Sequence, residues 1–189
     1  MSLVKIEMHD AVAEMRLQNG ITNALNPDLV AQLSTALSQI AKNEQVAGLV
    51  LTNSNDKFFS IGFDLPRLYE LSATDFKDFY RAFNQVCLNL YTFSKPTLAA
   101  IPGHAIAGGC ILAICCDYRI IASGHKLIGL NEIKLGVPVP YLADRILHEI
   151  VGGKKAREIM ETGDFYQPEA ALALGLVDQV VEPAEVLSK

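Results

Sequence analysis

Ser60-Ile61-Gly62-Phe63-Asp64-Leu65 and Gly103-His104-Ala105-Ile106-Ala107-Gly108-Gly109-Cys110 are two turns of one design: an apolar run enters glycine and leaves into a helix start. The first N–H groups of a helix have no intrahelical partner, and glycine lets another group approach the backbone because no Cβ intervenes. Set side by side, two such turns would aim amide donors at one oxygen and stabilise negative charge developing there. Either turn alone reads better as a place where a helix packs closely on a strand; the case for chemistry rests on the pair together with a nearby acid. A carboxylate, Glu132, follows in Ile128-Gly129-Leu130-Asn131-Glu132. The second turn continues Cys110-Ile111-Leu112, so apolar Ile111 occupies the slot where a second acid could have stood. Two amide donors, one acid and an apolar wall suit moving a proton beside a carbonyl better than adding water.

Around these turns the hydrophobic pattern alternates between strand and helix. Val4, Ile6 and Met8 alternate with Lys5 and Glu7, and Ala11, Ala13, Met15 and Leu17 alternate with Glu14 and Arg16. That period of two predicts an opening hairpin or strand pair. Asn26-Pro27 supplies an N-cap and a first-turn proline, and Leu29, Val30, Leu33, Leu37 and Ile40 follow at helical spacing. Val46 to Thr52 reads as a short buried strand. Ser72-Ala73-Thr74-Asp75 resembles a capping box with Asp in place of Glu. Behind it Phe76, Phe79, Tyr80, Phe83, Val86, Cys87 and Leu90 mark one face of a long helix, an aromatic stripe that reads as core packing.

Further along, Thr97 to Ile101 is predicted as a strand, Ala107 to Cys116 as a buried helix and Tyr118 to Ala122 as a strand. Helices are expected at Tyr141–Ile150, Lys154–Glu161 and Pro168–Leu174, the last closed by Gly175, before a final strand at Val177 to Val181. With no repeat, linker or low-complexity run, residues 1–189 read as a single α/β domain.

Half the residues are apolar and a fifth are charged, ordinary values for a globular enzyme. The net charge of −5 argues against a nucleic-acid footprint, which needs a clustered basic excess. Cys87, Cys110, Cys115 and Cys116 show no metal-ligand spacing, and His9, His125 and His148 add none, so no metal site is expected. The cysteines read as reduced, buried thiols, which with no visible signal peptide points to a cytoplasmic compartment. Pro96 to Cys116 carries no Lys, Arg, Asp or Glu and is about long enough to cross a bilayer. Pro102, the glycines and His104 break it into strand, turn and helix, so no membrane span is expected.

The ordered motifs Phe58-Phe59-Ser60-Ile61-Gly62-Phe63-Asp64-Leu65, Ala107-Gly108-Gly109-Cys110 running to Cys116-Asp117-Tyr118-Arg119, Gly129-Leu130-Asn131-Glu132 with Leu135-Gly136, and Glu169-Ala170 with Gly175-Leu176-Val177-Asp178 resemble the crotonase (enoyl-CoA hydratase/isomerase) superfamily. The resemblance implies a spiral of ββα units that binds an acyl-coenzyme A thioester. Coenzyme A then enters as part of the substrate, and no separate cofactor is implied. Carried onto this chain, the oxyanion amides belong to Phe63 and Gly108. Ser60, Ile61, Gly62, Phe63, Asp64, Gly108 and Ile111 border the substrate. In the hydratases one catalytic glutamate directly follows the Gly-Gly-Cys turn, where this sequence has Ile111, and the other matches Glu132. The Gly129-Leu130-Asn131-Glu132 segment is particularly similar to Δ3,Δ2-enoyl-CoA isomerases, which also work with one glutamate.

The resemblance further implies a homotrimer or dimer of trimers, and helices beyond Val181 that this sequence does not contain. Two other functions remain open at this point: a lyase or hydrolase acting on another acyl-CoA, and a non-catalytic acyl-CoA-binding or assembly protein. Asp64 reads as the cap of a short helix and His104 as a turn residue. Tyr91 and Asn131 are unplaced candidates for the acyl pocket. Lys57, Arg67 and Lys95 are candidates for coenzyme A phosphates, with solvated surface charge as the simpler reading.

Overall fold

The computed structural model describes residues 2–187. Strands β1 (Val4–His9) and β2 (Val12–Leu17) form the expected antiparallel hairpin, with Ile6 opposite Met15. Helix α1 (Pro27–Lys42) starts where the Asn-Pro pair puts it, the Asn26 carboxamide oxygen accepting the Leu29 N–H at 2.9 Å. Its stripe of Leu29, Val30, Leu33, Leu37 and Ile40 is buried. Strand β3 (Gly48–Asn53) follows, then a three-residue strand β4 (Phe58–Ser60) and the short helix α2 (Leu65–Tyr69), capped by Asp64.

Helix α3 (Ala73–Tyr91) begins at the capping box, with Ser72 Oγ accepting the Asp75 N–H at 3.1 Å. Strands β5 (Thr97–Ile101) and β6 (His104–Ile106) then lead into helix α4 (Gly108–Ile114), all seven residues of which are buried. Strands β7 (Tyr118–Ala122) and β8 (Ile128–Gly129) and a 3-10 turn at Glu132–Leu135 come next. Helices α5 (Tyr141–Val151), α6 (Gly153–Thr162) and α7 (Pro168–Leu174) precede strand β9 (Gln179–Val181). Gly175 closes α7 in the left-handed region as expected, and the last strand is two residues shorter than predicted.

Two sheets result. The larger runs β1-β2-β3-β5-β7-β9, parallel except for the opening hairpin. The smaller, β4-β6-β8, is wholly parallel and has no counterpart in the periodicity, because strands of two or three residues are too short to alternate. The aromatic stripe of α3 is core at Phe79 and Phe83, whereas Phe76 is exposed and stacks beside Tyr80. The stretch Pro96 to Cys116 resolves into β5, a turn, β6 and α4. Among the described residues no helix is long and apolar enough to cross a membrane. All four cysteines are buried free thiols.

Two distant motifs meet as a strut between buried Arg119 and the more exposed Asp178. Arg119 on β7 places Nη2 2.8 Å from Asp178 Oδ2, and the Arg119 N–H donates to the same oxygen at 2.8 Å. Asp117 likewise accepts the Thr97 N–H and hydroxyl at 2.8 and 2.9 Å, fixing the exit of α4 to β5. Because the Asn26 side chain is buried and spoken for by Leu29, Asn26→Ala should lower unfolding free energy by about 1–2 kcal/mol. Urea denaturation with an unchanged m value and a lower midpoint is the expected result; an unmoved midpoint would refute the cap.

Candidate active site

Parallel pairing in the small sheet decides where the candidate residues meet. With Ser60 beside Ala105 and Ile106 beside Gly129, the chains leaving β4, β6 and β8 emerge on one edge. Those exits are Ile61-Gly62-Phe63, Ala107-Gly108 and Leu130-Asn131-Glu132. Adjacent strands lie about 4.8 Å apart, so the outer two exits are roughly 10 Å apart with the glycine turn between them. Carboxyl edges of parallel strands are where α/β sheets take ligands.

In the first turn nearly every main-chain donor is used. Ile61 N–H donates to Thr22 O at 3.1 Å, Gly62 N–H to Ser60 Oγ at 3.2 Å, and Asp64 N–H to Leu25 O at 3.0 Å. Among the described residues the Phe63 N–H has no acceptor. The Phe63 ring is held edge-on by Phe79 and Phe83 of α3, at 5.0 and 4.9 Å between centroids. The aromatic stripe therefore fixes the residue whose amide is left free.

In the second turn Ala107 N–H donates to Gly129 O and Ala107 O accepts the Ile111 N–H, both at 2.9 Å. Ala107 sits at φ +50°, ψ −120°, a conformation that costs a non-glycine residue about 1–3 kcal/mol. It is held there by β8 on one side and the first turn of α4 on the other. The Gly108 N–H, like that of Phe63, has no acceptor among the described residues.

The two turns touch backbone to backbone. A Cβ on Gly62, at φ +87°, would stand 2.8 Å from Gly108 N, and one on Gly108 would stand 3.2 Å from Gly62 Cα. Both free N–H groups thus lie at one contact between β4 and α4. Ser60 is fully buried beneath it, its hydroxyl donating to Asn23 O at 2.8 Å. Of the candidates it stands behind the turn, as a support, while Ile61, Phe63 and Asp64 are half-buried.

Glu132 opens the 3-10 turn after β8 and is only 7 % exposed. Its Oε2 is buried without a hydrogen-bond partner among the described residues. Burial raises its pKa above the ordinary carboxylate value, opposed only by its own main-chain N–H. Burial and then the Glu132 charge hold the thiol of Cys110, in the first turn of α4, protonated, with the Gly129 main chain acting in the opposite direction. Glu132 and the Gly108 turn are therefore neighbours. Ile111 is buried one helical turn after Gly108, on the same side of α4.

Other candidates lie elsewhere or are committed. His104 Nδ1 accepts the Leu127 N–H at 3.0 Å, and burial with nearby Lys126, His125 and Lys57 lowers its pKa, leaving a neutral ring. Tyr91 donates its hydroxyl to Glu149 of α5. Asn131 has a buried carboxamide oxygen with no partner among the described residues. Lys95 caps α1 through Ile40 O and Asn43 O, Arg67 pairs with Asp28 at 2.7 Å, and Lys57 lies over the Phe58 ring. Glu7, His9 and Glu14 gather on the opening hairpin, but Lys5 and Arg16 neutralise their charge.

Sequence reasoning missed Leu25 and Asn23. Leu25 straps Gly62 and Asp64, and its Cδ1 sits 2.8 Å from where a Gly108 Cβ would be. Buried Asn23, at φ +47°, donates to Phe58 O at 3.0 Å. Asparagine is one of few residues at ease in that region, and this is the one signal that could have flagged it.

The model for the enoyl-CoA hydratase/isomerase family matches residues 7–189. Mitochondrial enoyl-CoA delta isomerase 1 of Mus musculus is 33 % identical over 188 residues, covering 99 % of this chain and 65 % of that protein. The crotonyl-CoA hydratase of Syntrophomonas wolfei is 35 % identical over 165 residues, covering 87 % of this chain and 63 % of that protein. The chain thus spans about two thirds of the length of these relatives. The crystal structure of human mitochondrial delta3-delta2-enoyl-CoA isomerase superposes with a TM-score of 0.95 at 32 % identity, over 99 % of this chain and 74 % of that one. With the family model matched over residues 7–189 and relatives above 30 % identity along most of its length, the chain belongs to the enoyl-CoA hydratase/isomerase family.

Proposed function

We propose that this chain moves a carbon–carbon double bond along an acyl-CoA thioester, converting a 3-enoyl to a 2-enoyl chain. The Phe63 and Gly108 N–H groups hold the thioester oxygen as it gains charge. Such donors are typically worth about 3 kcal/mol each to the transition state. Glu132 removes a proton from C2 and returns it at C4, so one carboxylate serves both transfers. Ile61, Gly62 and Ile111 border the substrate, with Asp64 and Ser60 holding the first turn in shape. Coenzyme A arrives with the substrate, and trimeric assembly belongs to the same proposal.

One observation carries this reading: a buried carboxylate with an oxygen left unpartnered stands near the glycine contact, and Ile111 follows that turn instead of a second acid. An apolar setting strengthens Glu132 as a base. Hydration asks for a second group to hold and split water, which Ile111 cannot supply. Incubation with a 3-enoyl-CoA should raise the absorbance of the conjugated thioester, and Glu132→Gln should cut the rate by roughly 10²–10⁴-fold. The acid limb of kcat/KM should lie above the ordinary carboxylate range. Undiminished turnover in the variant removes the assignment.

A second reading, water addition or thioester hydrolysis, draws on the comparable identity to a crotonyl-CoA hydratase. Hydration of 2-enoyl-CoA or release of free thiol at rates above the isomerisation rate would favour it. Under the isomerase reading both stay minor, and Ile111→Glu gains a trace of hydration.

The raised pKa of Glu132 also has a stability sign. A group whose folded pKa exceeds its unfolded value stabilises fully below the unfolded value, near 4.5 here, and loses that contribution as pH rises through the folded value. Glu132→Gln, which stays neutral, should therefore raise the melting free energy at pH 7–8 by roughly 0.5–2 kcal/mol, the scale on which relieving an active site stabilises. The gain should fade as pH falls toward 4.5; a gain independent of pH would contradict the burial argument.

A further inference from the structure

Glu132 stands on little of its own: β8 is two residues long and the 3-10 turn four. A segment far along the chain, Gly163-Asp164-Phe165-Tyr166 between α6 and α7, runs back across both. Ile128 and Tyr166 exchange two main-chain hydrogen bonds, at 3.0 and 2.9 Å. Next to Ile128, Gly129 has no room for a side chain: a Cβ would stand 2.5 Å from Asp164 O and 3.3 Å from Phe165 Cα. Gly163 ends α6 at φ +63°, and a Cβ there would meet Ile133 Cγ2 at 2.7 Å and Lys134 Cγ at 3.3 Å. Lys134 Nζ in turn reaches Asp164 Oδ1 at 2.8 Å. The segment therefore grips residues 128 and 129 before Glu132 and residues 133 and 134 after it.

We infer that the Gly163–Tyr166 connector is the positioning element for Glu132, and that Gly129 and Gly163 are positioning residues because only a bare backbone admits that grip. The inference rests on Glu132 being the proton carrier of the proposed reaction. The Phe63 amide lies in the turn after β4 and the Gly108 amide at the start of α4, and neither meets the Gly163 contact with Ile133 and Lys134, whereas Gly129 O also holds Ala107. A disturbance at Gly163 should therefore move the base while leaving the oxygen-binding groups in place. A displacement of about 1 Å at a reacting group can cost up to about 10²-fold in rate.

Gly163→Ala tests this, since alanine tolerates the left-handed region at modest cost while its methyl presses on Ile133. Its kcat should fall about ten-fold or more with KM within roughly two-fold. Adding Ile133→Ala, which removes the clashing Cγ2, should restore most of kcat relative to the single Ile133→Ala variant, which serves as the reference. Unchanged kcat in Gly163→Ala, or a loss that Ile133→Ala does not recover, overturns the inference.

If Gly163→Ala fails to fold, the exposed Lys134–Asp164 pair takes its place. Asp164→Lys should lower kcat roughly two- to five-fold, and adding Lys134→Asp should restore it; no loss, or no recovery, overturns the inference. A reading free of turnover is the carboxyl resonance of Glu132 in ¹³C-glutamate-labelled protein. Cys110 of α4 is the ionisable group in electrostatic reach, while Lys134 and Asp164 engage each other. In Gly163→Ala the Glu132 titration should move toward the ordinary carboxylate value and return with Ile133→Ala. If the parent protein does not isomerise 3-enoyl-CoA but this resonance behaves as described, the proposed reaction fails and the connector's role stands. If the resonance does not move, the connector's role fails whatever the reaction.

Discussion

The architecture depends on one close approach, the backbone of Gly62 lying against the backbone of Gly108. Any side chain at either position would drive β4 and α4 apart by the thickness of a methyl group, and the two unpaired N–H groups would no longer share one space. Everything nearby enforces that approach. Leu25 bonds to both Gly62 and Asp64, Ser60 ties its own turn to Asn23, and Phe79 and Phe83 trap the Phe63 ring. On the other side Ala107 is held at a positive φ by bonds to β8 and α4. Rigid packing lets donors stay unsatisfied without collapsing onto a neighbour, the condition for holding charge on an incoming oxygen.

Much of the frame was legible in the residues. Asn26-Pro27 marked the start of α1, Ser72 and Asp75 marked α3, Gly175 marked the end of α7, and the alternation of Val4 to Leu17 marked the hairpin. These signals are local, set by caps and by periodicity over several residues. The small sheet was illegible for the same reason: β8 has two residues, too few to express a period, and its existence follows from pairing with β6. The site residues were named from motifs, but their convergence is a tertiary fact carried by that sheet. Gly129 entered the motif as a spacer and Gly163 entered no argument. Their meaning lies in contacts with residues more than twenty positions away, which no window of sequence contains.

The site concentrates local costs on a well-packed base. Ala107 is strained, Glu132 is buried with an oxygen unpartnered, and Asn131 buries a carboxamide oxygen in the same condition. Against these stand a wholly buried α4, the Arg119–Asp178 strut and the Asp117–Thr97 bonds at the far end of the same helix. Placing unsatisfied groups at one end of an element and dense, satisfied contacts at the other keeps the domain folded while the edge of the small sheet keeps its polar groups unpaired among the described residues. Natural proteins commonly break local rules at such sites and compensate elsewhere.

The apolar character of α4 also bears on why a single acid is self-consistent here. Ile111 is one of the seven residues of α4, all buried, and Cys110 beside it is already kept protonated by burial and by the Glu132 charge. A carboxylate at position 111 would enter the same dry region, where two acids cannot both ionise readily and one pKa is driven up sharply. Paired acids need a setting that solvates or bridges them. A lone acid needs the opposite, a dry wall that makes it a stronger base and keeps water from the enolate. In the proposed reaction the helix that carries the Gly108 amide would also supply, through Ile111, the dryness that favours proton transfer between carbons over transfer to water.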